Sequence, residues 1–351
     1  MSVSLDLAIT DTVARTGPLS LAAQTALDTF FKVLLVRSKG RRHVEIVVGV
    51  TPDPQSHDAL ALGAALARTL RATLVLVNVY PVAYNYASIA NVDAEWHKFL
   101  KEQANETLDE FREALRDDYS DLEGVDFAIH GHRSSGVGLI QVAESRNSSM
   151  IVIGSAPGGS SGRINGGSTS DQLLHGSPVP VAIAPQDYRR SARDSIGRAV
   201  LAYQWTPESE HCLDVTIASF AKRGLPSAVE VHLLTVVERV TRFARSRLGS
   251  NAESQVLAVL HEQARAAHAI ACAKVSAAGI RASATVVEGD SVLAALSKFD
   301  WFSDDIFVMG STDRGAIRRV LLGDMTYKLL RAATVPVVVI PRGSEIPTED
   351  S

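Results

Sequence analysis

The residues best suited to binding chemistry form a segment rich in glycine and serine that runs from Gly154 to Ser168. Glycine tolerates positive φ angles and close approach of the backbone, so successive amide groups in such a segment can converge on one anion. Ser168 is predicted to cap the helix that follows, and the first amides of that helix would face the same point. The pattern therefore predicts a phosphate site, with a glycine- and serine-rich loop that has no ligand as the open alternative.

Two catalytic signatures in the same segment are incomplete. Gly158–Gly162 fits the G-x-S-x-G pattern of serine hydrolases, but the predicted strand that should lead directly into it ends five residues earlier. The spacing from Gly154 to Gly159 resembles a P-loop, but Ser160 stands where that loop requires lysine. Because the sequence also shows no paired acid and base, no activated nucleophile and no metal cluster, it predicts a protein without enzymatic activity.

Composition and length narrow the class of protein. The chain has 351 residues, of which 46% are hydrophobic and 21% charged, which excludes collagen-like and largely disordered proteins. This length suits two domains of ordinary size, each with its own core. Two cysteines are too few for a disulfide framework, and a net charge of −4 gives no indication of nucleic-acid binding.

The N-terminal region predicts neither a membrane span nor a secretory signal. The longest apolar stretch, Leu19–Val36, is interrupted by polar residues, and Asp6 and Asp11 precede the first basic residue, Arg15. We therefore expect a cytoplasmic protein that does not enter the membrane. Leu19–Val36 predicts an amphipathic helix that docks on the body or on a partner, and a poorly ordered extension is the alternative.

The sequence contains the same unit twice. Val152–Ser155 recurs as Val308–Ser311, at an offset of 156 residues. The same offset relates Gly167 to Gly323, Leu173–Leu174 to Leu329–Leu330, and Val179–Val181 to Val335–Val337. We therefore predict an N-terminal extension of residues 1–42, repeat 1 of residues 43–187, a linker of residues 188–196, repeat 2 of residues 197–343 and a tail of residues 344–351.

Within repeat 1, short apolar runs alternate with helical periodicities. The runs predict five strands: Val44–Val50, Leu74–Val79, Val125–Ile129, Met150–Ile153 and Val179–Ala184. Four helices fill the gaps, among them Ser56–Leu70 and Asp93–Leu115. The alternation predicts an α/β fold of two tandem Rossmann-like or flavodoxin-like domains, each a five-stranded parallel sheet with helices on both faces. Ligands of such sheets bind beyond the carboxyl ends of the strands.

The two repeats carry opposite net charges. Residues 43–187 contain 9 basic and 18 acidic residues, a net charge of −9, whereas residues 197–343 contain 17 basic and 14 acidic residues, a net charge of +3. Packing of the repeats against each other is one interpretation. Independent drift of two surfaces is the alternative, because exposed ion pairs contribute only about 0–1 kcal/mol each.

The order of these motifs resembles the universal stress protein family in a tandem, two-domain form. The resemblance extends over residues 43–343 and consists of a first strand with a serine-containing turn, a Gly-Ser loop after the fourth strand, a Leu-Leu helix and a Val-Pro-Val strand, twice. It implies pairing of the repeats near the Val-Pro-Val strands. It also implies a module of the stress response that responds to an adenine nucleotide such as ATP.

The resemblance assigns ligand-binding positions in repeat 1. Nucleotide-binding members have Gly, two residues, Gly, nine residues, and then Gly with Ser or Thr. Here the first glycine is Gly154 and the final pair is Gly167 with Ser168, but Pro157 takes the middle position and Gly158 follows one residue late. Proline has no amide to offer a phosphate.

Two further positions complete the set implied by the resemblance. Thr51 stands where binding members have an aspartate that contacts the nucleoside, and Val79 matches a position that packs on adenine. Loss of a charge-assisted hydrogen bond costs about 1.5–3 kcal/mol, so we expect repeat 1 to bind weakly, with no binding as the alternative.

Repeat 2 departs further from the family pattern. Asp313 takes the middle glycine position, Asp324 the serine position and Gln204 the aspartate position, so we expect this repeat to be degenerate for ATP. Asp324 is predicted to cap the last helix. Four arginines after the second strand of repeat 2 predict a contact with an anionic ligand or partner, or else a solvated surface: Arg239, Arg242, Arg245 and Arg247.

Three functions follow from these patterns. The first is a stress-response module with a weak adenine-nucleotide site in repeat 1. The second is a nucleotide-independent scaffold that binds protein partners through repeat 2 and the N-terminal segment, and the third is a slow nucleotide hydrolase. A homodimer is an open alternative, and neither nucleic acid nor membrane is expected as a partner.

Overall fold

A computed structural model describes residues 44–82, 90–122, 124–221, 229–239, 250–311, 324–342 and 344. Several predictions from the sequence lie outside these ranges. They concern the helix Leu19–Val36, the loop residue Asp313, the side chain of Asp324, and Arg242, Arg245 and Arg247.

Repeat 1 forms a five-stranded parallel sheet with helices between the strands. The strand order is β3-β2-β1-β4-β5, which matches five of the six strands in the Rossmann order 3-2-1-4-5-6. Its elements are β1 (Glu45–Gly49), α1 (Gln55–Leu70), β2 (Thr73–Tyr80), α2 (Ala90–Asp118), β3 (Asp126–Gly131), α3 (Ser135–Arg146), β4 (Met150–Gly154), α4 (Ser168–Gly176) and β5 (Val181–Ala184).

Repeat 2 builds the same sheet, in the order β8-β7-β6-β9-β10. A single 3₁₀ turn, Tyr188–Arg190, precedes it. Its elements are β6 (Arg198–Ala202), α5 (Pro207–Ala221), β7 (Glu230–Glu238), α6 (Ser250–Ala277), β8 (Arg281–Gly289), α7 (Val292–Leu296), β9 (Asp305–Gly310), α8 (Asp324–Ala332) and β10 (Val337–Ile340). The predicted α/β class and the two parallel sheets are confirmed.

The two sheets join edge to edge into one sheet of ten strands. β5 and β10 pair antiparallel, with Val181 opposite Val339 and Ile183 opposite Val337. The pairing confirms the expectation that the repeats meet at the Val-Pro-Val strands, and residues 43–348 form one compact unit. Because β5 and β10 run in opposite directions, the carboxyl ends of the two sets of strands lie at opposite edges of the sheet.

The hydrophobic core is divided by the faces of the sheet and not by repeat, which corrects the expectation of one core for each domain. Ile46 and Val48 belong to one cluster, whereas Val47 between them belongs to the other, because successive strand residues point to opposite faces. Each cluster contains residues of both repeats. Burial on both faces explains why the strands are almost continuously apolar.

The linker between the repeats packs against α1. The buried Asp58 carboxylate accepts hydrogen bonds from the amides of Asp187 and Arg189, both at 2.9 Å. The amide of Ile196 donates to Thr69 Oγ1 at 2.8 Å, and burial raises the pKa of the Tyr188 phenol to about 12. None of the helices in the described ranges combines the length and apolar character needed to cross a bilayer.

Candidate functional site

A cavity of about 240 Å³ opens at the carboxyl ends of β1, β2 and β4 in repeat 1. Five of the six predicted site residues line it: Thr51, Val79, Gly154, Gly167 and Ser168. The fold thus brings together residues that lie up to 117 positions apart in the sequence. The sixth, Gly158, is outside the lining, and its contact with a ligand stays a prediction.

Two of the glycines are required by close packing around the cavity. A Cβ atom on Gly154 would lie 2.2 Å from the backbone oxygen of Gln55, so only glycine lets α1 begin so close to the end of β4. A Cβ atom on Gly167 would lie 2.8 Å from Cβ of Ala156. The backbone of Gly167 is extended, with φ of −137°, a conformation that any residue can adopt. Glycine is therefore required here because Ala156 leaves no room for a side chain.

The turn after β1 places polar side chains on one side of the cavity. The amide of Thr51 donates to Ser56 Oγ at 2.8 Å, and the Thr51 hydroxyl donates to Asp53 Oδ2 at 3.2 Å. Asp53 also lines the cavity. A carboxylate is therefore present two residues after the position where binding members of the resembling family have theirs. The Pro-Asp-Pro sequence that follows the strand is the signal in the sequence that could have identified this carboxylate.

Gln55, the first residue of α1, adds a second acceptor to this side of the cavity. Its Oε1 atom is buried, and no hydrogen-bond partner for it exists among the described residues. A buried polar atom without a partner costs about 1–3 kcal/mol, so Oε1 favours a ligand that can donate a hydrogen bond. No motif in the sequence points to this residue.

The glycine- and serine-rich loop is closed at its neck by hydrogen bonds. The amide of Asn165 donates to Ser155 Oγ at 2.7 Å, the amide of Ala156 donates to the Asn165 carbonyl at 3.0 Å, and Asn165 Nδ2 donates to the Pro157 carbonyl at 2.9 Å. Gly158 and Gly162 turn the chain with φ of +82° and +71°. The loop is therefore a compact Ω-type structure.

The start of α4 differs from the prediction that Ser168 caps the helix. Gly167 occupies the capping position, and Ser168 is the first helical residue. Ser170 Oγ accepts a hydrogen bond from the Gly167 amide at 2.8 Å, which is one half of a capping box, and Gly167 has no side chain to form the other half. The amides of the first helical turn have no acceptor within the helix, which makes this edge of the cavity suited to an anion.

An apolar wall is also part of the lining. It is built from side chains of β2, α3 and β4, namely Val77, Val79, Leu139 and Ile153. The wall offers a planar apolar ring a place to pack, as expected for Val79 from the resemblance.

Known proteins share this fold and the order of its motifs. The model of the family described as "Universal stress protein family" matches residues 44–185 and 198–341. The chain belongs to the universal stress protein family. Universal stress protein Rv2319c of Mycobacterium tuberculosis H37Rv is 31% identical over 301 residues, which cover 84% of this chain and 99% of that relative.

Solved structures agree on the fold. A universal stress protein from Archaeoglobus fulgidus has a TM-score of 0.61 at 19% identity and covers 86% of this chain and 100% of its own. A universal stress protein in complex with cAMP covers 42% of this chain and 100% of its own, at 17% identity and a TM-score of 0.32. That likeness is too low to inform a ligand here.

In repeat 2 of this universal stress protein, the positions equivalent to the site residues of repeat 1 form different contacts. Tyr203 replaces Val50, is 1% exposed, and donates a hydrogen bond from its phenol to Glu210. Thr326, which corresponds to Ser170, donates to the carbonyl of Gly310 at 3.1 Å and ties the start of α8 to the end of β9. Arg239 pairs with Glu288. These positions of repeat 2 therefore take part in contacts within the protein.

Proposed function

We propose that repeat 1 binds an adenine nucleotide such as ATP in the cavity at the carboxyl ends of β1, β2 and β4. The observation that carries the proposal is the arrangement of three surfaces around one cavity. Acceptors of the β1–α1 turn, an apolar wall from β2, α3 and β4, and the first residues of α4 all line it.

Each surface matches one part of a nucleoside phosphate. Asp53 and Gln55 Oε1 can accept hydrogen bonds from sugar hydroxyls, the wall around Val79 can pack on the base, and the α4 amides can bind phosphate. Asp53 supports the proposal most, because it restores a carboxylate that Thr51 lacks. The cavity is smaller than the roughly 300–1,000 Å³ of typical ligand pockets, which favours weak binding of a partly exposed nucleotide.

We further propose that the protein acts by binding and not by catalysis, in the cytoplasm. Among the described residues that line the cavity, Asp53 is the sole titratable side chain, and general acid–base catalysis commonly uses a second group. Cys212 and Cys272 are both free thiols, which fits a reducing compartment.

Equilibrium titration of the full chain with ATP tests the proposal, with Gly167→Val as the variant. Valine at position 167 would press on Ala156 and displace the loop from the start of α4, so we expect the affinity to fall at least tenfold. Gly166→Val is the matched control, because a Cβ atom there meets nothing closer than Asp171 Oδ1 at 3.9 Å.

Three results would contradict the proposal. Equal affinity of the parent and Gly167→Val would place the nucleotide elsewhere on the protein. Absence of ATP binding in the parent would favour the protein-binding scaffold, and steady release of phosphate from ATP would favour the hydrolase.

A further inference from the structure

The glycine- and serine-rich loop of repeat 1 separates two cavities. Its ends, around Ala156 and Gly167, line the candidate nucleotide site. Its middle, at Ser161 and Gly162, lines a second cavity of about 430 Å³ between the repeats. The far wall of that cavity belongs to repeat 2 and includes Phe302. The loop therefore has free space behind it on the side away from the nucleotide.

Within repeat 1, few contacts fix the middle of the loop. The amide of Gly162 donates to the Gln186 carbonyl at 2.8 Å, and the amide of Gln186 donates to the Arg163 carbonyl at 3.0 Å. Ile164 is 5% exposed and belongs to the hydrophobic cluster that both repeats share. Two of the loop residues, Gly158 and Gly162, have positive φ and open space around them, so the chain between the fixed points is easily displaced.

Arg163 connects the loop to repeat 2. Its Nη1 atom donates to the carbonyl of Ala332 at 2.6 Å. Ala332 is the last residue of α8, whose final carbonyls have no partner within the helix and form the negative end of the helix dipole. A guanidinium is well suited to this position, because its hydrogen bonds to such oxygens are charge-assisted and its fork of donors is rigid.

Other contacts in the same region show that α4 and α8 meet across the junction of the repeats. The rings of His175 on α4 and Tyr327 on α8 lie 6.5 Å apart. Burial raises the pKa of the Tyr327 phenol, and the carboxylate of Asp171 on α4 raises it further. The helix that would bind phosphate and the helix that receives Arg163 thus interact through Tyr327, His175 and Asp171.

We propose that Arg163 is a positioning residue that fastens the anion-binding loop of repeat 1 to α8, so that the nucleotide site is complete only when repeat 2 is in place. The inference rests on the proposed function. Asn165, two residues beyond Arg163, closes the neck of the loop through Ser155 and Ala156, so a shift at Arg163 reaches the cavity through these contacts. By reciprocity, bound nucleotide stabilises the last turn of α8.

The test compares the full chain with Arg163→Ala and Arg163→Lys in two measurements. The first is the affinity for ATP, which we expect to fall about tenfold in Arg163→Ala and less in Arg163→Lys, since lysine keeps one charged donor. The second is amide hydrogen exchange without nucleotide, which we expect to accelerate at Gly162 and Gln186. Arg116→Ala, at an exposed position near the end of α2, is the matched control.

The two measurements separate the inference from the proposed function. If the parent binds ATP and Arg163→Ala binds it equally well, the positioning role is wrong, whatever the exchange rates. If the parent does not bind ATP, the proposed function fails, and exchange alone decides whether Arg163 holds the loop: unchanged rates at Gly162 and Gln186 then overturn the inference. ATP should also slow exchange of the Ala333 amide, at the end of α8, in the parent and not in Arg163→Ala.

Discussion

The two repeats share one backbone frame and differ in what the side chains at its edge do. The amide of Val50 donates to the Val77 carbonyl at 2.9 Å, and its counterpart, the amide of Tyr203, donates to the Leu234 carbonyl at 3.0 Å. The turns that follow are also alike, because the amides of Thr51 and Gln204 both donate to a serine hydroxyl of the next helix, at 2.8 and 3.2 Å.

Side chains at equivalent positions of the two repeats form different hydrogen bonds. In repeat 1, Ser155 Oγ accepts a hydrogen bond from the Asn165 amide and so closes the neck of the loop. In repeat 2, Ser311 Oγ accepts a hydrogen bond from the amide of Arg342, which follows the last strand. Val50 and Tyr203 occupy equivalent positions and are both buried, each at 1% exposure. Backbone pairing fixes the architecture, so the contacts of the residues at the strand ends can change without altering the sheet.

The largest expected effect comes from separating the repeats. A fragment of residues 43–187 would expose the β5 edge and the apolar surfaces that both repeats cover, so we expect it to self-associate or to unfold. Size-exclusion chromatography over a range of concentrations measures this, and mixing with a fragment of residues 197–343 should restore a discrete complex. A monomeric fragment with the melting temperature of the full chain would show that the repeats are independent.

The glycines at the ends of β4 and β9 occupy equivalent positions but pack against different atoms. Gly154→Ala brings Cβ within 2.2 Å of a backbone oxygen, so we expect a loss of about 3 kcal/mol in unfolding free energy and loss of ATP binding. Gly310→Ala meets Cys212 Sγ at 2.8 Å, a side-chain atom that can move, so we expect a loss of about 1 kcal/mol. Urea unfolding of both variants measures the difference, and equal losses would refute it.

A buried histidine distinguishes the core of repeat 2. His232 on β7 takes the place of Val75 on β2, and burial, aided by the positive charge of Arg198, lowers its pKa to about 4. Below pH 6.5 the unfolded chain binds a proton at this residue that the folded chain does not. Stability should therefore fall by about 2 kcal/mol between pH 7.5 and pH 5 because of His232 alone.

His232→Val makes this position like that of repeat 1 and tests the effect. Urea unfolding at pH 7.5 and at pH 5 should show a difference about 2 kcal/mol smaller than in the parent. Phe299→Leu is the control, because Phe299 packs on His232 with ring centroids 5.1 Å apart and its loss removes no titrating group. An undiminished pH dependence in His232→Val would locate the acid sensitivity elsewhere.

The smallest expected effect concerns two residues that make the same bond. Asn78 Nδ2 donates to the Val50 carbonyl at 3.0 Å, and Thr235 Oγ1 donates to the Tyr203 carbonyl at 2.6 Å. Asn78→Thr should keep the bond and cost less than about 1 kcal/mol, whereas Asn78→Leu leaves a buried carbonyl unpaired and should cost about 1–3 kcal/mol. Similar losses for the two variants, measured in urea, would show that packing and not the hydrogen bond matters.

Local patterns in the sequence were sufficient for the fold. β4 was predicted over Met150–Ile153 and extends over Met150–Gly154, and α1 was predicted over Ser56–Leu70 and extends over Gln55–Leu70. Buried strands and amphipathic helices reveal themselves within about ten neighbouring residues, because each must bury one face. The repeat offset then supplied the second sheet.

The details of the site depend on contacts that no local pattern records. Arg163 and Ala332 are 169 positions apart, and their bond exists only because β5 pairs with β10. Asp53 was missed because it lies in a turn, where the side chain's direction depends on the Thr51 and Ser56 hydrogen bonds. Five site residues were located by resemblance to a family pattern, and their part in ligand binding stays a prediction.

Residues 188–196 make the pairing of β5 with β10 independent of protein concentration. Two separate chains that pair through edge strands come apart on dilution, whereas repeats joined by a short linker meet at an effective concentration of about a millimolar. Repeat 2 therefore needs no self-complementary surface to stay in place. The residues at its strand ends can therefore diverge, while the Ala332 carbonyl still accepts the hydrogen bond from Arg163 in the loop of repeat 1.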